Sequence, residues 1–89
     1  MTDETPASLV LGRELDLHTF VPRDIPSVVD EYLLEARRLG YHQVRLIHGR
    51  GIGYQREVVR KILAATAFVQ AFDDDVNGNR GATLVSLKP

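Results

Sequence analysis

Apolar and polar positions divide the chain into segments with two different periods. From Glu14 to Thr19 they alternate, Leu15 and Leu17 one way and Asp16 and His18 the other, which predicts a strand with one apolar face. Ile25, Val28, Val29, Tyr32, Leu33, Ala36 and Leu39 then recur at three and four residues. That spacing predicts a helix from Asp24, a side-chain N-cap, to Leu39, with Pro26 tolerated in its first turn and Gly40 as its stop. Gln43 to His48, with β-branched Val44 and Ile47, is a second strand. A second helix follows from Tyr54 to Thr66, with Val58, Val59, Ile62, Leu63 and Ala65 on its apolar side. Phe68 to Phe72 is a third strand, Asp73 to Gly81 a turn-rich loop with an Asn-Gly hairpin signal, and Ala82 to Leu87 the last strand.

This order predicts an α/β fold: a two-layer βαβαββ sandwich with a four-stranded mixed sheet and two helices on one face. Two strand–helix–strand units call for right-handed parallel crossovers, and the Asn-Gly loop calls for an antiparallel closing strand. Leu15 and Leu17 then face the helices, which sends Asp16 and His18 to the other side. Residues 1–12, polar with a proline, are expected to be a flexible N-terminal tail, and 13–89 the folded domain.

Composition narrows the class. Eighty-nine residues suffice for one small core. The absence of cysteine excludes a disulfide framework and cysteine-based zinc sites. No run of eighteen apolar residues occurs, so a cytoplasmic protein without a membrane-spanning segment is expected. The net charge of −1 conceals a strong asymmetry: residues 1–35 carry eight acidic side chains against two basic, and residues 36–61 seven basic against one acidic. A basic middle segment can attract polyanions, although arginines on solvated helix faces would give the same count.

Two short stretches carry candidate chemistry. In Asp16-Leu17-His18, side chains two apart on a strand are separated by roughly 6.6 Å, too far for a direct hydrogen bond unless the chain bends. The pair could flank one reacting phosphate, with His18 as general base and Asp16 orienting it or the nucleophile. A polar strand face in solvent would look the same.

The second stretch, His48-Gly49-Arg50-Gly51-Ile52-Gly53, lies where a strand ends and a helix begins. Free backbone amides and the helix dipole favour an anion there, and glycines allow positive φ and close approach. Arg50 and Arg56 add guanidinium groups suited to phosphate, and His48 is expected to point into the same site. The spacing fits neither a dinucleotide-binding fingerprint, which needs glycine at Tyr54, nor a P-loop, which needs Lys-Ser/Thr after Gly53.

Leu15-Asp16-Leu17-His18, a helix, and then His48-Gly49-Arg50-Gly51-Ile52-Gly53 with Arg56 closely resembles the Smr (small MutS-related) domain family, over about Leu11 to Leu87. Such domains end one class of bacterial MutS-like proteins and occur as short standalone proteins, and the chain resembles the latter. The resemblance implies a fold like the C-terminal domain of bacterial translation initiation factor three. It implies nucleic-acid binding, often with DNA nicking or ribonuclease activity, and a place in DNA repair or recombination. Carried over, Asp16 and His18 are the catalytic pair, and His48, Gly49, Arg50, Gly51, Gly53 and Arg56 bind phosphate. Thr19, where the family commonly has glycine, Tyr54 and Arg80 are secondary candidates. Ile52 and Gln55 also depart from the family pattern.

Three functions are compatible with these residues. One is a structure-selective endonuclease, working by phosphodiester hydrolysis or RNA transesterification on branched or structured DNA or RNA. DNA cleavage would call for a divalent Mg or Mn ion, although no metal ligands are assigned, whereas RNA supplies its own 2′-OH nucleophile. The second is a non-catalytic module docking on nucleic acid, ribosomal RNA within a ribosome, or a partner protein. The third is a phosphometabolite-binding protein. A monomer is expected, and Phe20 and Tyr54 beside the two motifs are candidates to stack on a base.

Overall fold

The structure, a computed structural model, describes residues 13–49, 54–75 and 81–89. The N-terminal tail, the glycine-rich core at 50–53 and the Asn-Gly loop at 76–80 lie outside them. The elements run β1 (Glu14–Asp16), a 3-10 turn (Pro22–Asp24), α1 (Ile25–Arg38), β2 (Gln43–Ile47), α2 (Tyr54–Ala65), β3 (Val69–Asp74) and β4 (Ala82–Leu87). The sheet order is β1-β2-β4-β3, with β1 parallel to β2 and β4 antiparallel to both its neighbours. The expected two-layer mixed sheet with two helices is therefore present, and β4 is inserted between the strands that α2 connects.

Period-two burial identifies the helix-facing side. Leu15, Val44, Leu46, Val85 and Leu87 from the strands join Ile25, Val29, Tyr32, Leu33 and Ala36 of α1, and Val59 and Leu63 of α2, in one core. Leu17, just past β1, is fully buried in it. The opposite sheet face is crossed by an ionic strap. Arg45 on β2 donates through Nε to Asp75 at 2.6 Å and through Nη1 to Glu14 of β1 at 3.1 Å. Because β4 lies between β2 and β3, the Arg45–Asp75 pair spans it.

Three local expectations are corrected. Asp24 makes no side-chain cap bond; α1 is entered through the 3-10 turn, with the Asp24 N–H on the Val21 carbonyl at 3.0 Å. The third strand runs on through Asp73 and Asp74, and the Asp75 N–H still bonds the Ala82 carbonyl at 3.0 Å. The aspartates tolerate the sheet because Asp74 and Asp75 meet arginines. The first strand ends at Asp16 rather than Thr19, with consequences for the site.

The stop of α1 agrees with its sequence signal in detail. Gly40 has φ +83°, its N–H bonds the Arg37 carbonyl, and the Tyr41 N–H bonds the Ala36 carbonyl, each at 3.0 Å. This is the six-to-one and five-to-two pattern that closes a helix with a left-handed residue. Space beside Gly40 is open, so Gly40→Ala meets no steric neighbour. Its cost is purely conformational, and an equilibrium urea titration should show a loss of about 1–2 kcal/mol. Among the described residues no helix is long and apolar enough to cross a membrane.

Candidate functional site at the carboxyl ends of the parallel strands

The register Asp16↔Ile47 places the ends of β1 and β2 side by side, and the Leu17 N–H closes the ladder on the Ile47 carbonyl at 2.7 Å. The two candidate motifs, thirty residues apart in sequence, therefore emerge at one rim of the sheet. In open α/β sheets the rim outside the carboxyl ends of strands is the usual place for ligands.

Past Leu17 the chain turns, with the Phe20 N–H on the Leu17 carbonyl at 3.1 Å. The buried Leu17 side chain pins the turn, and His18 is folded back over Asp16. One carboxylate oxygen, Asp16 Oδ1, accepts both the His18 backbone N–H at 3.1 Å and the ring Nδ1 at 2.5 Å. The separation expected for an ideal strand is thus replaced by direct contact, because the strand stops one residue after Leu15. A carboxylate can only accept here, so Nδ1 carries the proton and Nε2 is left as the free ring position. Both side chains remain open to solvent, His18 at 67% and Asp16 at 46%. The geometry is that of a base held in one tautomer by a carboxylate.

The His18 ring bond also holds the Asp16 carboxyl below its ordinary value of 3.8, with the backbone bond adding to the effect. A carboxyl whose folded value is lowered contributes stability that is fully present above its unfolded value and lost as pH falls through the folded one. NMR titration of the Asp16 carboxyl carbon should accordingly give a midpoint below 3.8, moving back towards it in His18→Ala. A wild-type midpoint at or above 3.8 would contradict the bond.

His48 is placed differently from expectation. It is 4% exposed, with Nδ1 3.0 Å from the Gly49 carbonyl oxygen and Nε2 2.9 Å from Thr83 Oγ1. It lies in the helix-facing layer with Val44 and Leu46 because period two continues past Ile47. The His48 and Gly49 N–H groups both bond the Gly81 carbonyl at 2.9 Å. Gly49 has φ +80°, a conformation that side chains resist, which explains glycine at this exit from β2. Arg50, Gly51 and Gly53, like Arg80, lie outside the described residues.

Arg56, in the first turns of α2, is engaged by β3. Its Nε and Nη2 donate to the two oxygens of Asp74 at 2.9 and 2.8 Å, and Nη1 faces Glu57 at 3.5 Å. The Asp74 bond raises the Arg56 pKa further above its ordinary value. Sequence separation hid this fork-to-fork pair.

The basic middle segment is likewise largely matched within the fold. Arg38 bonds Glu35, Arg45 bonds Asp75 and Glu14, Arg60 approaches Asp74 at 3.7 Å, and Arg37 and Arg60 lie over Phe68 and Phe72. Its sequence charge therefore overstates the field it presents to a polyanion. Of the aromatic candidates, Tyr54 is exposed at the start of α2 and Phe20 is partly exposed beside His18. Thr19 is exposed in the same turn.

The donor set bears on metal chemistry. Asp16 Oδ1 already accepts two hydrogen bonds, and among the described residues no three His, Asp or Glu side chains gather into a group that could hold a metal.

Fold and rim together define a small two-layer α/β domain in which a histidine–carboxylate pair and a positive-φ glycine, Gly49, sit at the ends of adjacent parallel strands. The chain belongs to the Smr domain family, whose sequence model matches residues 15–88. It is 37% identical over 79 residues to endonuclease MutS2 of Thermus thermophilus and 40% identical over 80 residues to that of Caldicellulosiruptor bescii, matches that take in 86% and 88% of this chain. The chain spans only about a tenth of the length of these relatives, 11% and 10% respectively. The crystal structure of the Smr domain of Thermus thermophilus MutS2 superposes with a TM-score of 0.79 at 37% identity, over 85% of this chain and 98% of that one. YdaL, a stand-alone small MutS-related protein of Escherichia coli, superposes at 0.80 with 25% identity, over 86% of this chain and 65% of its own.

Proposed function

We propose that this domain binds structured nucleic acid at the β1–β2 rim and cleaves a phosphodiester bond there, as an endonuclease. The observation that carries the reading is the Asp16–His18 pair, in which the carboxylate fixes the tautomer and leaves Nε2 free at an exposed rim. Membership of a family whose relatives include proteins named endonuclease MutS2 supports it. In the reaction, His18 Nε2 takes the proton of the attacking hydroxyl, from water or from a ribose 2′-OH. The new P–O bond forms as the bond to the leaving oxygen breaks, and that oxygen takes up a proton from solvent water. Asp16 holds the ring and stabilises the imidazolium that results.

The glycine segment supplies the phosphate site: Gly49 opens it at the exit of β2, and Arg50, Gly51 and Gly53 precede α2 in the sequence, ahead of a helix start whose dipole favours an anion. Arg56 anchors that helix start to Asp74, and His48 supports Gly49 from below. Thr19 and Tyr54 border the site, and Arg80, next to Gly81 in the sequence, is a secondary candidate.

The reading is tested by incubating the protein with end-labelled single-stranded, duplex and branched DNA and RNA, with and without EDTA. A discrete product from a structured substrate is expected, and RNA cleavage should survive EDTA because the 2′-OH is the nucleophile. Affinity should fall with rising salt. Salt-sensitive binding with no product from any substrate would replace the nuclease by a binding module. Competition by mononucleotides at similar concentration would replace both by a phosphometabolite site.

A further inference from the structure

Thr83 is an anomaly in the core. It is fully buried on β4, in register with Leu46 on one side and Asp74 on the other, where valine would fill nearly the same volume without a hydroxyl to satisfy. A buried hydroxyl is costly unless bonded. Its bond to His48 Nε2, 2.9 Å long, continues through the ring, because His48 Nδ1 lies 3.0 Å from the Gly49 carbonyl oxygen.

The directions follow from donor chemistry. A carbonyl only accepts, so His48 Nδ1 carries the ring proton. Nε2 of a neutral ring then only accepts, so the Thr83 hydroxyl must donate. The relay therefore runs one way: Thr83 O–H to His48, and His48 Nδ1–H to Gly49. Two residues earlier, just ahead of β4, the Gly81 carbonyl accepts the N–H groups of His48 and Gly49. Both backbone polar groups of Gly49 are thus tied to β4, its N–H to Gly81 and its C=O to Thr83 through His48.

We propose that Gly81-Ala82-Thr83 is a third motif of the site, with Thr83 a positioning residue that sets the exit of the glycine segment from β2 through His48. This rests on the reading of the rim as a phosphodiester site. It also assigns His48 to the support of that site rather than to contact with phosphate. The His48 and Gly49 amides, spent on Gly81, leave the phosphate to donors further along the segment.

The test compares wild type with Thr83→Val, which removes only the hydroxyl, and Thr83→Ser, which keeps it. Three readouts are taken: the ring 15N shifts of His48, the backbone amide shift of Gly49, and the affinity for a fluorescein-labelled branched DNA. Wild-type His48 should show the Nδ1–H tautomer. Thr83→Val should change the His48 ring signature, move the Gly49 amide and weaken binding roughly tenfold, with the His18 ring signature unchanged. Thr83→Ser should restore most of each.

An Nε2–H tautomer in wild type would overturn the proposal without any variant being made, as would a Thr83→Val protein with the wild-type Gly49 shift and affinity. Should wild type bind no nucleic acid, the proposed function fails. The His48 and Gly49 shifts would still decide whether Thr83 sets the segment.

Discussion

Replacing His18 by alanine is expected to lower phosphodiester cleavage by about 10²–10⁴-fold, the range for losing a positioned general base, while leaving affinity for the uncut substrate unchanged. His18 is two-thirds exposed, and among the described residues its side-chain partner is Asp16, so its removal takes away no core contact. The phosphate-binding residues proposed lie on the other strand end and are untouched. Single-turnover cleavage of labelled RNA, alongside fluorescence anisotropy for binding, separates the two effects. A variant that cuts at the wild-type rate would remove His18 from the chemistry. Equal losses of rate and affinity would make it a binding residue.

Leu17→Ala should produce the largest loss of stability among site-region substitutions, about 2–5 kcal/mol for a buried leucine. Leu17 is fully buried, and its N–H makes the last bond between β1 and β2. A domain of this size has roughly 5–15 kcal/mol in all, so much of its margin would be lost. Urea unfolding should show a lower midpoint with an unchanged slope. A loss below about 1 kcal/mol would mean that the turn carrying His18 is not anchored by the core.

The same residue explains where sequence reasoning succeeded and where it stopped. Alternation correctly sent Leu15 and Leu17 inward, and the three-and-four spacing found α1 with its Gly40 stop. Ala82–Leu87 was legible as the closing strand after the Asn-Gly turn signal. What period two does not contain is the point at which a strand ends. Leu17-His18-Thr19-Phe20 has neither glycine nor asparagine to announce a turn. The available clue was Asp16, whose side chain can accept the N–H two residues on.

Tertiary pairing was the other blind spot. Three consecutive aspartates have low strand propensity, and arginines meet two of them at the end of β3, Arg56 and Arg60 at Asp74 and Arg45 at Asp75. The same pairs quieted a segment that counted as strongly basic. Thr83 did leave a mark in the sequence: it is the one polar residue on the buried side of Thr83, Val85 and Leu87. A polar side chain on an apolar face signals a buried partner, here a histidine 35 residues away.

The central claim is that the rim joining Asp16–His18 to the start of the glycine segment, and not the open sheet face, receives nucleic acid. The most direct test is an NMR titration of 15N-labelled protein with a short branched DNA. Amide shifts should concentrate on Asp16 to Thr19, on Gly49 to Gly53 and at the start of α2, while Arg45, Leu84 and Ser86 on the open face stay in place. Shifts centred on Arg45, Leu84 and Ser86, with Asp16, His18 and Gly49 unmoved, would contradict it.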